Sequence, residues 1–310
     1  MALGHFGDGL VSLSPRAILA HRLVLLGCPK LQMALMTNTP PRPGAAAGVR
    51  PALGMVSFVK RSSDAPGGFF ACEAAGLQWL SAAQGGVPCA QVIAHDETSL
   101  TLERIEAVAP TRAAAYEFGL RLAHTHDASA EGFGSPPDGW TGPGFFGPLH
   151  QPLPMSLTGH DRWGAFYARE RLAPMADRAA PLLDSSAREA VSVAISRCEA
   201  GDFDDDERPA RLHGDLWSGN VMWTAAGAML IDPAAHGGHR ETDLAMLALF
   251  GCPHFDAVID GYQSQRPLRD GWRDRVGLHQ LYPLLAHVVL FGRGYVRQAS
   301  AAAGSVYRVS

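Results

Sequence analysis

The chain has almost no lysine. Of its 26 basic residues only Lys30 and Lys60 are lysine, and the other 24 are arginine. It has no basic run and no basic stripe studded with aromatics, and its net charge is -4, so neither nucleic acid nor an anionic membrane surface is expected as a partner. Cysteine is scarce as well. The five, at 28, 72, 89, 198 and 252, form no C-x-x-C pair and are odd in number, which argues against both a thiolate zinc site and a disulfide framework. A reducing cytoplasm suits that usage. Long apolar runs are missing too: nothing approaches the roughly 20 residues of a membrane span. The stretch ILAHRLVLLGC (18–28) ends in a tetrad like a lipoprotein cleavage box, but His21 and Arg22 interrupt it, and it reads as a short apolar segment.

What is present is a chain of 310 residues, 47% of them hydrophobic, enough for a substantial core in one large or two modest domains. Residues 37–54, rich in Pro, Gly and Ala, read as a linker or loop. Beyond it MVSFVK (55–60) is β-prone, EAAGLQWLSAA (73–83) is helix-prone, and 90–94 and 99–105 form a hairpin-like pair of strands. From about residue 110 the texture is helical, first TRAAAYEFGLRLAHTHDAS, then a Gly/Pro loop over 132–154, then WGAFYARERLAPMADRAA. One interruption is a hairpin in which Val221–Trp223 and Met229–Ile231 flank a turn at Ala226 and Gly227.

That hairpin carries the chemistry. In RLHGDLWSGNVMW (211–223) an aspartate and an asparagine lie among apolar residues, and a chain does not bury an unpaired carboxylate cheaply. Asp215 and Asn220 precede the first strand and Asp232 follows the second, so closing the hairpin brings three oxygen donors to one end. Hard oxygen ligands with a spare carboxylate suit Mg²⁺ carrying phosphates: Asn220 and Asp232 on the metal, Asp215 accepting a proton from an attacking hydroxyl. Either Asx residue alone reads as a turn cap, but the spacing of all three does not. Lys60, kept by a chain otherwise committed to arginine, stands in the apolar run 56–59 where an ammonium reaches phosphate as a point charge, with Glu73 following at the next helix; a solvated strand end is an equal reading of Lys60 alone.

The segments HGDLWSGN, LIDPAAHGGHRETDLAMLALFG and LHQLYPLLAHVVLFGRGY closely resemble the fructosamine-3-kinase (ketosamine kinase) family, whose fold is that of protein kinases and aminoglycoside phosphotransferases. The likeness runs from about Phe58 to Tyr295 and includes FFACEAAGLQWL, LTLERIE, RLAHTH and the stretch beginning at Trp163. It implies an α+β, two-lobed fold: an unassigned divergent segment at 1–43, a small antiparallel-sheet lobe for ATP at 44–106, and a mainly helical catalytic lobe at 107–310. It also implies Asp215 as catalytic base, Asn220 and Asp232 as magnesium ligands, Lys60 on the α/β-phosphates with Glu73 as its ion-pair partner, and Glu103, Arg104 and Ile105 as the hinge to adenine. Trp217 would wall the sugar, or be a core tryptophan, and His236 and Glu241 are further substrate candidates. Asp243 is expected to cap the helix it opens and brace the catalytic loop, and His213 to be structural.

The implied reaction is ATP- and Mg²⁺-dependent phosphorylation of a ketosamine, small or protein-bound, at its 3-hydroxyl, leading to release of the amine. The sequence departs from the family where a glycine turn precedes the lysine: Pro40, Pro41 and Arg42 fall there, and Gly44 and Gly48 are the available substitutes. Rival readings are a kinase of an aminoglycoside or choline, a non-catalytic nucleotide-binding relative, and a metal-dependent hydrolase built on His124, His126, His213, His236 and His239.

Overall fold

The computed structural model describes residues 57–309. The divergent segment 1–43, the linker and the substitute glycines at 44 and 48 lie outside the described residues. The first element, β1 (Ser57–Arg61), is followed by helix α1 (Phe69–Ser81) and strands β2 (Val92–His95) and β3 (Ser99–Glu103). β3 is central and antiparallel to both neighbours, and its alternation buries Leu100 and Leu102 against α1. α1 starts four residues earlier than the sequence reading placed it, because Phe69 and Phe70 are themselves core residues.

The rest is mainly helical. α2 (Arg112–Asp127) begins where the Thr111 side chain accepts a hydrogen bond from the Ala114 N–H, an N-cap. Its buried positions, Ala115, Phe118, Leu122 and His126, repeat at helical spacing. The Gly/Pro loop contains a small hairpin, β4 (Gly144–Phe146) with β5 (Leu153–Met155), that three-residue strands left unreadable. Next come α3 (Trp163–Phe166), which runs through a π-helical turn (Tyr167–Leu172) into α4 (Ala173–Ala179), then α5 (Ser185–Ala200). The expected hairpin is β7 (Val221–Thr224) with β8 (Gly227–Leu230); outside it, β6 (Ala210–Leu212) pairs antiparallel with β9 (His236–Gly238).

Four helices complete the chain: α6 (Glu241–Leu249), α7 (Phe255–Gln265), α8 (Trp272–Phe291) and α9 (Val296–Ser305). α2 and α7 approach backbone to backbone, since a Cβ on Gly119 would stand 1.9 Å from the Val258 carbonyl oxygen and one on Gly261 1.9 Å from that of Tyr116. α8 contains Pro283, which has no N–H to give the helix ladder. The Tyr167 hydroxyl enters that ladder, accepting from the Tyr282 N–H (3.2 Å) and donating to the Leu278 carbonyl (2.8 Å), so Tyr282 is held at a fixed point of the helix. Among the described residues no helix is long and apolar enough to cross a membrane.

Candidate active site

The pairing of β6 with β9 and of β7 with β8 holds the loop 213–220 from both ends. Leu212 faces His236, Val221 faces Leu230, and the Ile231 N–H donates to the Asn220 carbonyl (3.1 Å). The H-G-D turn needs its glycine: Gly214 has φ +80°, and a Cβ there would stand 2.1 Å from the Ala234 carbonyl oxygen. Asp243, from the first turn of α6, ties the turn down by accepting from the His213 N–H (2.8 Å) and the Gly214 N–H (3.0 Å). His126 of α2 donates to the same carboxylate (3.3 Å) and takes a hydrogen bond from the Tyr262 hydroxyl (2.8 Å). Burial works against the Asp243 charge, and these hydrogen bonds outweigh it, so its carboxyl is held below the usual range. The brace is therefore present, while the cap is not: α6 already begins at Glu241, and Asp243 bonds the loop instead of the helix end.

His213 is buried. Its Nδ1 accepts from the Asp215 N–H (3.3 Å), which leaves Nε2–H to donate to the Ile231 carbonyl (2.9 Å), and burial lowers its pKa so that it stays neutral. Asn220 turns its amide nitrogen inward, donating to the Asp215 carbonyl (2.8 Å) and lying 3.3 Å from Asp215 Oδ2 and 3.4 Å from the Asp232 carbonyl. Asp215, Asn220 and Asp232 thus share one end of the hairpin. Asp232 holds a left-handed backbone, φ +56°, a region that aspartate enters more readily than most residues other than glycine.

Lys60 comes to this end from β1. Its ammonium is buried and bonded to both Glu73 of α1 and Asp232. Burial alone pulls the lysine pKa down, but the two carboxylates more than reverse it, so the group is a fixed cation. An ammonium has three hydrogens; two face carboxylates, and the third has no acceptor among the described residues. Asp215, Asn220 and Asp232 are hard oxygen donors of the kind that suits Mg²⁺.

The other sequence candidates are placed differently. Glu103 ends β3, where its N–H donates to the Gln91 carbonyl (3.0 Å) and its side chain accepts from the Gln91 N–H, so that N–H is not available to a base; Arg104 is exposed and Ile105 half-buried. Trp217 is half-buried at the edge of the helical core, its ring over Gly219. His236 is buried beneath Gly214 with Nδ1 bonded to the Ala234 carbonyl (2.8 Å), and burial lowers its pKa to about 3. Glu241 is buried in a fork from Arg275 (2.9 and 2.6 Å). The structure does not gather the five histidines of the hydrolase reading. The one group of metal-ligand type among the described residues is His239, Glu241 and His279, and its atoms already hold Asp205, Arg275 and Thr242. Sequence reasoning missed Tyr262 and gave His126 only a place in the hydrolase reading; RLAHTH was visible, but nothing local marked its second histidine as the partner of Asp243.

A lysine on a small sheet salt-linked to a helix glutamate, together with an H-G-D loop, an asparagine and a second aspartate, defines a kinase-like phosphotransferase. The aminoglycoside phosphotransferase APH(2")-IIa, in its gentamicin complex, shares the fold with a TM-score of 0.51 at 12% identity, over 82% of this chain and 85% of its own. Within that class the profile of the fructosamine kinase family matches residues 53–308, and the chain belongs to that family. A candidate fructosamine-3-kinase from Thermobifida fusca superposes with a TM-score of 0.75 at 45% identity, over 83% of this chain and 87% of that one. A probable ketoamine kinase of Synechocystis is 33% identical over 263 residues, 78% of this chain and 80% of its own. Mouse ketosamine-3-kinase is 37% identical over 146 residues, 46% of each chain.

Proposed function

We propose that the protein transfers the γ-phosphoryl group of ATP to the 3-hydroxyl of a ketosamine. The observation that carries the reading is the buried Lys60 ammonium joining Glu73 to Asp232, with Asn220 linking Asp232 to Asp215. In this scheme Lys60 directs its third hydrogen at an α- or β-phosphate oxygen, and the bond to Glu73 keeps the ammonium from swinging away. Asp215 orients the substrate hydroxyl and takes its proton as the oxygen bonds to phosphorus and ADP leaves. Its carboxylate is kept in place by the Asn220 amide below and by the Asp243 brace on the preceding two residues. Asn220 and Asp232 would hold Mg²⁺, which supplies positive charge to the phosphates.

Loss of a C1 proton as the C2 carbonyl enolises lets the C3 phosphate leave as inorganic phosphate. Water then hydrolyses the resulting C1–N iminium and frees the amine, which makes the outcome deglycation. A cytoplasmic setting accords with the free thiols at Cys72, Cys89, Cys198 and Cys252, of which burial pushes Cys72 up to about 11 and Cys89 up to about 12. The test is ATP consumption with a ribulosamine or fructosamine at a series of magnesium concentrations, substrate omitted as control. Ketosamine-dependent, magnesium-dependent turnover is expected; consumption that ignores the ketosamine contradicts the proposal.

A further inference from the structure

Helix α1 packs on the three-stranded sheet and carries Glu73 to Lys60. Its start and middle rest on later parts of the chain through apolar contacts. The Phe69 and Phe145 ring centroids are 5.4 Å apart, and a Cβ on Gly76 would stand 3.0 Å from the Ala235 side chain and 3.1 Å from that of Pro233. Apolar contact is non-directional: it holds two surfaces together and does little against sliding or rotation of one over the other. The end of α1 is held differently. Arg211 Nη1 donates to the Trp79 carbonyl (2.5 Å), and the guanidinium carbon lies 4.4 Å from the centroid of the Trp79 ring. That carbonyl belongs to the last turn, where the Ala83 N–H turns to the Leu80 carbonyl instead, and α1 has no basic residue of its own there. A cation from elsewhere in the chain thus answers the negative end of the helix. The Trp79 indole N–H has no partner among the described residues, so packing and the Arg211 stack place the ring.

Arg211 does more than close a helix end. Its Nε donates to the Ser129 carbonyl just after α2 (3.3 Å), and its Nη2 lies 3.6 Å from the exposed Asp138 carboxylate in the Gly/Pro loop. The residue itself is only 9% exposed. Its backbone is the centre of β6, paired with Gly237, two residues before His213, where Asp243 takes hold of the H-G-D turn. One side chain therefore joins the helix that carries Glu73 to the strand that leads into Asp215. Trp79 is six residues beyond Glu73, about 9 Å along the axis, so a helix pinned at Trp79 carries Glu73 at a fixed height. The Lys60 ammonium reads that height, because its two carboxylates come from different bodies: Glu73 from α1 and Asp232 from the end of the β7–β8 hairpin. If α1 slides or turns, the two part.

We infer that Arg211 is a positioning residue: it sets the register of α1 against the catalytic loop and so keeps Glu73 on Lys60 for the phosphates of ATP. The role rests on the kinase reading of Lys60 above and adds to it the residue that holds α1 in place. Its test is a double-mutant cycle read by calorimetric titration of the full chain with a non-hydrolysable ATP analogue and magnesium. Arg211→Met keeps an unbranched apolar stem and should weaken binding by about tenfold, the scale of one hydrogen bond from a charged group. In a Glu73→Gln background the same change should weaken it by less than about twofold, because the pair it serves is already broken. Arg211→Lys, which keeps one donor for the Trp79 carbonyl and loses the fork, should fall between, and it carries the test if the methionine variant does not fold. A second readout needs no nucleotide. Lys30 and Lys60 are the only lysines of the chain, so ¹³Cε-lysine labelling gives two side-chain signals. That of Lys60 should move in Arg211→Met toward its position in Glu73→Gln, with that of Lys30 unchanged. Equal weakening in the two backgrounds, or an unmoved Lys60 signal, overturns the assignment and leaves Arg211 a structural role. Because neither readout involves turnover, a coupled cycle without ketosamine phosphorylation supports Arg211 and refutes the proposed reaction. A wild type that binds no nucleotide refutes the kinase reading, and the Lys60 signal then decides whether Arg211 holds the pair.

Discussion

Lys60, Glu73 and Asp232 form one buried cluster of charge, and His239, Glu241, Arg275 and His279 form another. Both bring together side chains far apart in sequence, and both look like site material in a scan for ionisable groups. They differ in what is left over. In the second, Glu241 is gripped by Arg275, His279 Nδ1 meets the Thr242 hydroxyl (2.9 Å), His239 Nε2 meets Asp205 (3.2 Å), and Trp163 packs on both rings. Each charge there is answered from within, which makes the cluster a bolt between α6 and α8. In the first, the Lys60 ammonium meets two carboxylates and has a third hydrogen with no acceptor among the described residues. Unspent hydrogen-bonding capacity separates a site from a structural network better than burial and charge do.

Four measurements break or sharpen that contrast. Asp215→Asn removes the base and keeps the shape, so kcat should fall by about 10²–10⁴ with the melting temperature nearly unchanged; a loss under about tenfold removes the base role. Glu241→Ala leaves Arg275 buried and unanswered, which should cost about 3–5 kcal/mol in denaturant unfolding while KM for the ketosamine holds. A raised KM with normal stability would return Glu241 to the substrate. Asp232→Ala should weaken magnesium-ATP binding by about tenfold or more, seen as a shifted magnesium titration; an unchanged titration contradicts its placement on the metal.

The smallest effect is pH-dependent. His236 and His279 are held neutral, with pKa values lowered by burial to about 3 and about 4, while the unfolded chain takes up their protons near pH 6.5. Stability is therefore full above about pH 6.5 and declines as the pH falls toward those folded values, by about 1.4 kcal/mol per pH unit for each such histidine. Glu241, lowered to about 2 because hydrogen bonds from His279 and Arg275 outweigh its burial, adds its own loss only below the ordinary carboxylate range. Urea unfolding between pH 6.5 and 5 isolates the histidines, and His236→Asn should flatten that slope by about one proton.

Much of the site was legible because its parts are local. The spacing of Asp215, Asn220 and Asp232 around one hairpin put three oxygens at one end, and the scarcity of lysine drew attention to Lys60. What escaped depends on distance in sequence. β6 and β9 are three residues each and have no pattern of their own, so their pairing, which places His236 under Gly214, was invisible. His236 and Glu241 are substrate candidates by resemblance, and the fold buries the first against the Ala234 carbonyl and the second in the Arg275 fork. Arg171 is one of two arginines in an aromatic stretch, and only the fold shows that no described residue meets two of its donors.

The most direct test of the account is phosphorus NMR of the product formed from ATP and a ribulosamine by wild type and by Asp215→Asn at equal folded concentration. A resonance coupled to the C3 proton, formed by wild type and reduced by at least about 100-fold in the variant, is the predicted result. Phosphate on any other hydroxyl, or equal yields from the two proteins, would contradict the account.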